Sequence, residues 1–213
     1  MQRTDTDNIT DGAAADGALT EEEKVRANTY ALLGGLLAQP PKEETIELLR
    51  QIEIQESEHS NAMAAAWRAL SLAARRASVP ALDDEYHDLF IGLGRGQVVP
   101  YASWYLTGFM MERPLAQLRQ DLMRLGFARQ EDVKEPEDHA AALCEIMSLL
   151  ISQAAELGPH EQKAFFTHHI EPWMARFFLD LQRAETSTFY AAVGAMGEQF
   201  LEVEKTYLDM LPH

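Results

Sequence analysis

The sequence predicts an all-α fold: a helical bundle of roughly eight to ten helices, arranged as two subdomains joined by a hinge. Three observations carry that expectation. Apolar residues recur at three- and four-residue spacing across residues 20–211, with no sustained alternation of the kind a strand would need. Proline and glycine punctuate this pattern at Pro40-Pro41, Pro80, Gly92 to Gly96, Gly126, Gly158-Pro159 and Pro172. A polar connector near residues 128–135, followed by Pro136, offers one seam. It divides the chain into a flexible acidic tail at 1–19, an N-terminal helical subdomain at 20–134 and a C-terminal helical subdomain at 135–213 that begins at Glu135-Pro136-Glu137-Asp138-His139.

The elements follow in order. Thr20-Glu21-Glu22-Glu23 has the form of a capping box, so the first helix starts there, shows Val25, Tyr30, Leu33, Leu36 and Leu37 on one face, and ends at Pro40-Pro41. Pro41 can open a second helix carrying Ile46, Leu49 and Ile52. After a polar stretch from Gln55 to Ser60, a third runs through Met63, Trp67, Leu70 and Ala74. Leu82, Tyr86, Leu89 and Phe90 define a fourth, which the glycines from Gly92 terminate. Tyr101 to Met111 reads as a short helix interrupted near Gly108, and Pro114 opens an amphipathic helix through Leu115, Leu118, Leu122 and Leu125. Pro136 can occupy the first position of the next helix, with Glu137 and Asp138 in its first turn, where the dipole favours carboxylates. Leu143, Met147, Leu150 and Ala154 continue it to Gly158-Pro159. One helix to about His169, another after Pro172 and a long last one from Phe189 to Tyr207 complete the chain.

Composition narrows the function. At 213 residues and 46% hydrophobic content there is ample material for a core. Eighteen basic against 34 acidic residues give a net charge of −16, which repels nucleic acid and anionic membrane surfaces and favours a basic partner. The density is greater after the seam: residues 1–134 carry a net −7, and the shorter 135–213 a net −9. Cys144 alone excludes an internal disulfide and CxxC chemistry, and its apolar neighbours fit an inert, packed thiol. No apolar run is long enough for a membrane span and the N-terminus has no signal-peptide pattern, so a cytoplasmic location is expected.

Candidate chemistry is sparse. Gly92-Leu93-Gly94-Arg95-Gly96 follows a helix and lacks the spacing of a phosphate loop, so it reads as a connector. His168-His169 are adjacent and Glu56-x-x-His59 is a single ExxH, which gives no metal constellation. Glu135, Asp138 and His139 could serve a hydrolase as acid, base and orienter, but no nucleophile motif accompanies them. The bland alternatives are a helix start for residues 135–139 and core packing for Trp104, Tyr105 and Phe109, in which case the chain is a generic helical adaptor.

The ordered motifs Tyr86-x-x-Leu89-Phe90-x-Gly92, Pro100-Tyr101-x-Ser103-x-Tyr105 and Glu135-Pro136-x-Asp138-His139 resemble those of the TorD/DmsD/NarJ family of molybdoenzyme-specific chaperones. Phe165 to Phe178, with His169 and Pro172-Trp173, looks like that family's C-terminal pattern, and Leu93 departs from it where many members carry proline. The resemblance implies a non-enzymatic cytoplasmic chaperone, without cofactor or metal. Such a chaperone binds the twin-arginine leader and apo-form of a molybdopterin-dependent oxidoreductase, assists cofactor insertion and delays export. It also implies a client-binding site. Tyr86, Leu89, Phe90, Pro100, Tyr101, Ser103 and Tyr105 would form one wall and Glu135, Pro136, Asp138 and His139 the other, with Asp138 pairing the arginines and His139 orienting it. Some members form homodimers by exchanging domains about this hinge.

Overall fold

A computed structural model of the chain describes residues 19–54, 61–92, 96–128 and 134–211. The expected tail (apart from its last residue), the Glu56/His59 pair, Leu93 to Arg95 of the glycine-rich connector and most of the 128–135 connector lie outside the described residues. Ten α-helices are found among them, with no named strand. They are α1 (Glu21–Ala38), α2 (Glu43–Arg50), α3 (Ala62–Arg76), α4 (Val79–Tyr86), α5 (Ala102–Thr107), α6 (Arg113–Arg124), α7 (Ala140–Ser152), α8 (Ala154–Phe165), α9 (Met174–Arg183) and α10 (Phe189–Met210). The all-α expectation holds.

The local signals act as their chemistry requires. Thr20 and Glu23 form the reciprocal capping box at α1. Gly108 adopts φ 83° at the end of α5, a left-handed stop that a glycine tolerates without strain. Two features depart from expectation. The helix after the seam starts at Ala140, with His139 as its N-cap, so Pro136, Glu137 and Asp138 precede it and do not form its first turn. The same helix stops at Ser152, and the next one kinks at Gly158, where φ is 73° and Pro159 follows. Two single π-helical turns, His87–Ile91 after α4 and Phe166–Ile170 after α8, have no sequence signature.

One hydrophobic core draws on both sides of the seam. Tyr30, Leu33, Leu36 and Leu37 of α1 meet Leu143, Met147 and Leu150 of α7, while Phe177, Phe178 and Leu181 of α9 pack against Tyr190, Val193, Met196 and Phe200 of α10. Each such side chain contributes about 1.5–3 kcal/mol by leaving water. Close approach of α1 and α7 depends on Gly34, where a methyl group would stand 3.2 Å from the Ala141 carbonyl oxygen. Across the seam, buried Arg26 pairs with buried Glu204 at 2.7 Å and stacks on Tyr207 at 4.0 Å. Burial opposes the guanidinium charge, but Glu204 outweighs it and the pKa moves up. Cys144 is fully buried, and burial pushes its thiol up to about 12, as an inert packed cysteine requires.

Candidate functional site

The site is built on a two-stranded contact. Val99 precedes a proline and so favours extended geometry, which carries on through Tyr101 at φ −128°, ψ 134°. Residues 138–140 lie antiparallel to it: Ala102 N donates to the Asp138 carbonyl at 3.0 Å, and Ala140 N donates to the Pro100 carbonyl at 2.8 Å. The Tyr101 and His139 rings meet edge to face at 4.9 Å between centroids. The two motifs, 35 or so residues apart, therefore touch directly.

Each side of this contact starts a helix, and α5 borrows its cap from the other side. Tyr101 makes no side-chain cap for α5; instead Asp138 Oδ2 accepts from Ser103 N at 2.9 Å. His139 Nδ1 accepts from Ala141 N at 3.1 Å and caps α7. Such a cap requires an unprotonated Nδ1. Burial lowers the His139 pKa to about 4 even though Glu135 and Asp138 act in the opposite direction, so the ring is neutral at pH 7. Tyr101 Oη donates to the Glu135 carboxylate in a short hydrogen bond. Burial first, and Glu135 second, hold the Tyr101 pKa well above the ordinary phenol value.

Beside the contact runs a groove of about 500 Å³. Tyr86, Phe90, Pro100, Tyr101, Glu135 and His139 all line it, joined by Gln39 and Pro40 from the end of α1, Ile91 from the first π turn and Glu145 from α7. Its aromatic wall is fixed from below. Tyr86 Oη donates to the Leu37 carbonyl at 3.2 Å and Tyr190 Oη to the Leu36 carbonyl at 2.9 Å, which satisfies carbonyls that the end of α1 would leave open. Phe90 packs on both rings, at 4.9 Å from Tyr86 and 5.4 Å from Tyr190. Burial, with Glu135 adding to it, pushes Tyr86 up to about 12. The groove thus has an apolar floor and two exposed carboxylates, Glu135 and Glu145, at its edge.

The other expected wall residues do not line this groove. Leu89 is fully buried in the core, because its position on the first π turn points inward. Ser103 is fully buried and its Oγ accepts from Glu112 N at 3.3 Å. Tyr105 turns to the far side of α5, donates to Asp180 Oδ2 at 3.0 Å and packs on Trp173 and Phe177. Pro136 lines a separate cleft with Met111, Leu115 and Arg119. Asp138, 1% exposed, borders a third cleft of about 330 Å³ with Thr107, Arg113, Gln117, His168 and His169. Its Oδ1 is buried without a hydrogen-bond partner. In that cleft His169 Nε2 lies 2.9 Å from Asp121, and burial outweighs Asp121 to lower its pKa.

Glu135, Asp138 and His139 consequently engage Tyr101, Ser103 and Ala141 respectively, with no hydrogen bond among the three. That is not the linked arrangement of acid, base and orienter that hydrolysis uses. Among the described residues no group of three His, Cys, Asp or Glu side chains could hold a metal, and no helix is long and apolar enough to cross a membrane. Sequence reasoning missed Glu145, Ile91 and the α1 end, which reach the groove only through tertiary packing, and Glu85. Buried Glu85 accepts from Thr188 N, Tyr190 N and Thr188 Oγ1 at 2.8, 2.8 and 2.6 Å, and from Phe189 N at 3.2 Å, and so caps α10 from α4.

Comparison with known proteins places this architecture. The chain is similar to the chaperone protein TorD of Vibrio atlanticus, 26% identical over 137 residues, which is 60% of this chain and 64% of that protein. It is similar over a longer span to TorD of Shewanella loihica, 25% identical over 204 residues, covering 87% and 93% of the two chains. A protein named as a probable Tat proofreading chaperone, DmsD, from Haemophilus influenzae is 31% identical over 117 residues, 54% of this chain and 56% of its own. The chain spans less than two thirds of the length of the Vibrio atlanticus and Vibrio cholerae relatives it matches. In fold it is similar to the crystal structure of a candidate redox enzyme maturation protein from Archaeoglobus fulgidus, with a TM-score of 0.55, 17% identity and coverage of 89% and 98%. Residues 56–179 match the sequence model of the nitrate reductase delta subunit family, and with the motifs joined at Tyr101 and His139 the chain belongs to that family, the TorD/DmsD/NarJ group.

Proposed function

We propose that the chain is a redox enzyme maturation chaperone that binds the twin-arginine leader and the apo-form of a molybdopterin-dependent oxidoreductase, such as a trimethylamine oxide, dimethyl sulfoxide or formate-oxidising enzyme. Holding the client until cofactor insertion is complete delays its export. The observation that carries the reading is the groove itself: an aromatic floor from Tyr86, Phe90 and Tyr101 under an edge bearing Glu135 and Glu145. An amphipathic leader helix would lay its apolar residues on the floor, and its guanidinium groups would meet the carboxylates. Asp138 faces the separate cleft with its Oδ1 buried and without a donor, so one arginine would have to leave the groove and open that cleft to reach it, and His139 would hold the backbone that presents it. Exchange of residues 135–213 between two copies would require the α1–α7 packing to be remade between chains.

The test is a calorimetric titration of a leader peptide against its Arg-Arg→Lys-Lys version, with the wild type and with Phe90→Ala/Tyr101→Ala. Lysine keeps the charge but not the planar fork, so we expect at least tenfold weaker binding of the lysine peptide, and a comparable loss in the double variant. Equal binding of both peptides to wild type and variant would refute the reading.

A further inference from the structure

The two carboxylates at the edge of the aromatic groove are not equivalent. Glu135 already accepts from the Tyr101 hydroxyl, and the same ring packs edge to face on His139, so freeing Glu135 would disturb the contact that joins the two motifs. Glu145 is exposed and makes no hydrogen bond or ion pair among the described residues. Its backbone is nevertheless fixed. A methyl group on Gly34 of α1 would stand 3.5 Å from Glu145 N, and the nearby Cys144 and Met147 of α7 are fully buried. The Glu145 side chain therefore reaches the groove from a rigid point, about one turn beyond Ala141, with its carboxylate uncommitted.

The surroundings of Glu145 call for a cation. Gln39 and Pro40 bring the end of α1 into the groove, and the last turn of that 18-residue helix has no basic residue to offset the partial negative charge of its carbonyls. The described residues that line the groove include two carboxylates and no lysine or arginine. Its two histidines do not make up for this: His139 is neutral at pH 7, and His87 Nδ1 donates to the Asp83 carbonyl at 2.7 Å. We infer that Glu145 is the specificity-determining residue of the groove: it holds the one client arginine that stays there, while the Tyr101 hydroxyl keeps Glu135 from sharing that role. This rests on the leader reading above and accounts for the arginine that Asp138 does not take. A planar guanidinium offers two parallel N–H groups to one carboxylate, which a lysine ammonium cannot. The apolar residues of the same segment then lie on Tyr86, Phe90 and Ile91.

The experiment is a double-mutant cycle by calorimetric titration: leader peptides carrying Arg-Arg, Lys-Arg, Arg-Lys or Lys-Lys, each against the full chain as wild type, Glu145→Gln, Glu145→Lys and Glu135→Gln. Gln and Lys are good helix formers at an exposed position, so both Glu145 variants should keep the circular dichroism and Tm of wild type. Glu145→Gln should bind the Arg-Arg peptide at least tenfold more weakly, Glu145→Lys more weakly still, and Glu135→Gln within threefold of wild type. One of the two single-lysine peptides should lose at least fivefold on wild type and less than twofold on Glu145→Gln, because the arginine it lacks is the one Glu145 holds; the other should lose equally on both. Tyr101→Phe, which frees Glu135 and keeps the ring, should bind the Arg-Arg peptide at least as tightly as wild type. Losses of the same size in Glu145→Gln and Glu135→Gln, or no coupling of Glu145 to either arginine, would overturn the inference. If wild type still prefers Arg-Arg to Lys-Lys in that case, the leader reading stands without it. Wild type that binds all four peptides alike would overturn both, and self-association of wild type that Glu145→Lys abolishes would give the groove to a second copy and overturn the inference as well.

Discussion

Glu85 and Asp138 are both buried carboxylates, and both cap a helix that begins in a distant part of the chain, yet they differ in how completely they are satisfied. Both oxygens of Glu85 are engaged, by three backbone amides and a hydroxyl at the start of α10. Asp138 gives one oxygen to Ser103 N and leaves the other without a partner beside an open cleft. A saturated carboxylate has no capacity left for a ligand and acts as a joint between α4 and α10. A half-satisfied one carries the desolvation penalty of an unmade bond, which a client's donor would relieve. The contrast separates structural acid from candidate functional acid in a chain with 34 of them.

The largest expected effect comes from removing the saturated carboxylate. Glu85→Ala strands three amides at the start of α10 and should cost about 3 kcal/mol of stability or more, read as a fall in the denaturant midpoint at unchanged m-value. A loss under ~1 kcal/mol would show that water replaces the carboxylate freely and would blur the contrast.

Next is His139, whose folded pKa of about 4 lies below its ordinary 6.5. Stability from the neutral cap is fully present above pH 6.5 and is lost as pH falls toward 4, because the unfolded chain takes up the proton first. Between pH 7 and 5 this amounts to roughly 2 kcal/mol. His139→Asn keeps a capping oxygen and does not titrate, so chemical denaturation at the two pH values should show a correspondingly smaller difference than in wild type. The same pH dependence in both proteins would remove His139 as its source.

Much of this was legible in the sequence, and the limits have physical causes. Thr20 to Glu23, Gly108 and Pro40-Pro41 act through neighbours in the chain, so their effects on helix ends could be read locally. The helix after the seam could not be placed as well. Asp138 looked like a first-turn acid, but its side chain serves α5, and the backbone of 138–140 pairs with 100–102 before α7 can start. The groove shows the same division. Tyr86, Phe90, Tyr101, Glu135 and His139 were found through their motifs, whereas Glu145 and Pro40 enter it only because α1 packs on α7. The π turns, which bring Ile91 to the groove and His168 to the third cleft, arise from no particular residue type.

The central claim is that Asp138 is an acceptor waiting for a client's donor while Glu85 is not. Calorimetric titration of the twin-arginine peptide into Asp138→Asn and Glu85→Gln tests it directly. Asp138→Asn should remain folded, because the amide oxygen can still accept from Ser103 N, and should bind the peptide at least tenfold more weakly. Glu85→Gln should lose stability but keep the wild-type Kd in its folded fraction. Unchanged affinity in a folded Asp138→Asn, or equal losses of affinity in the two variants, would contradict it.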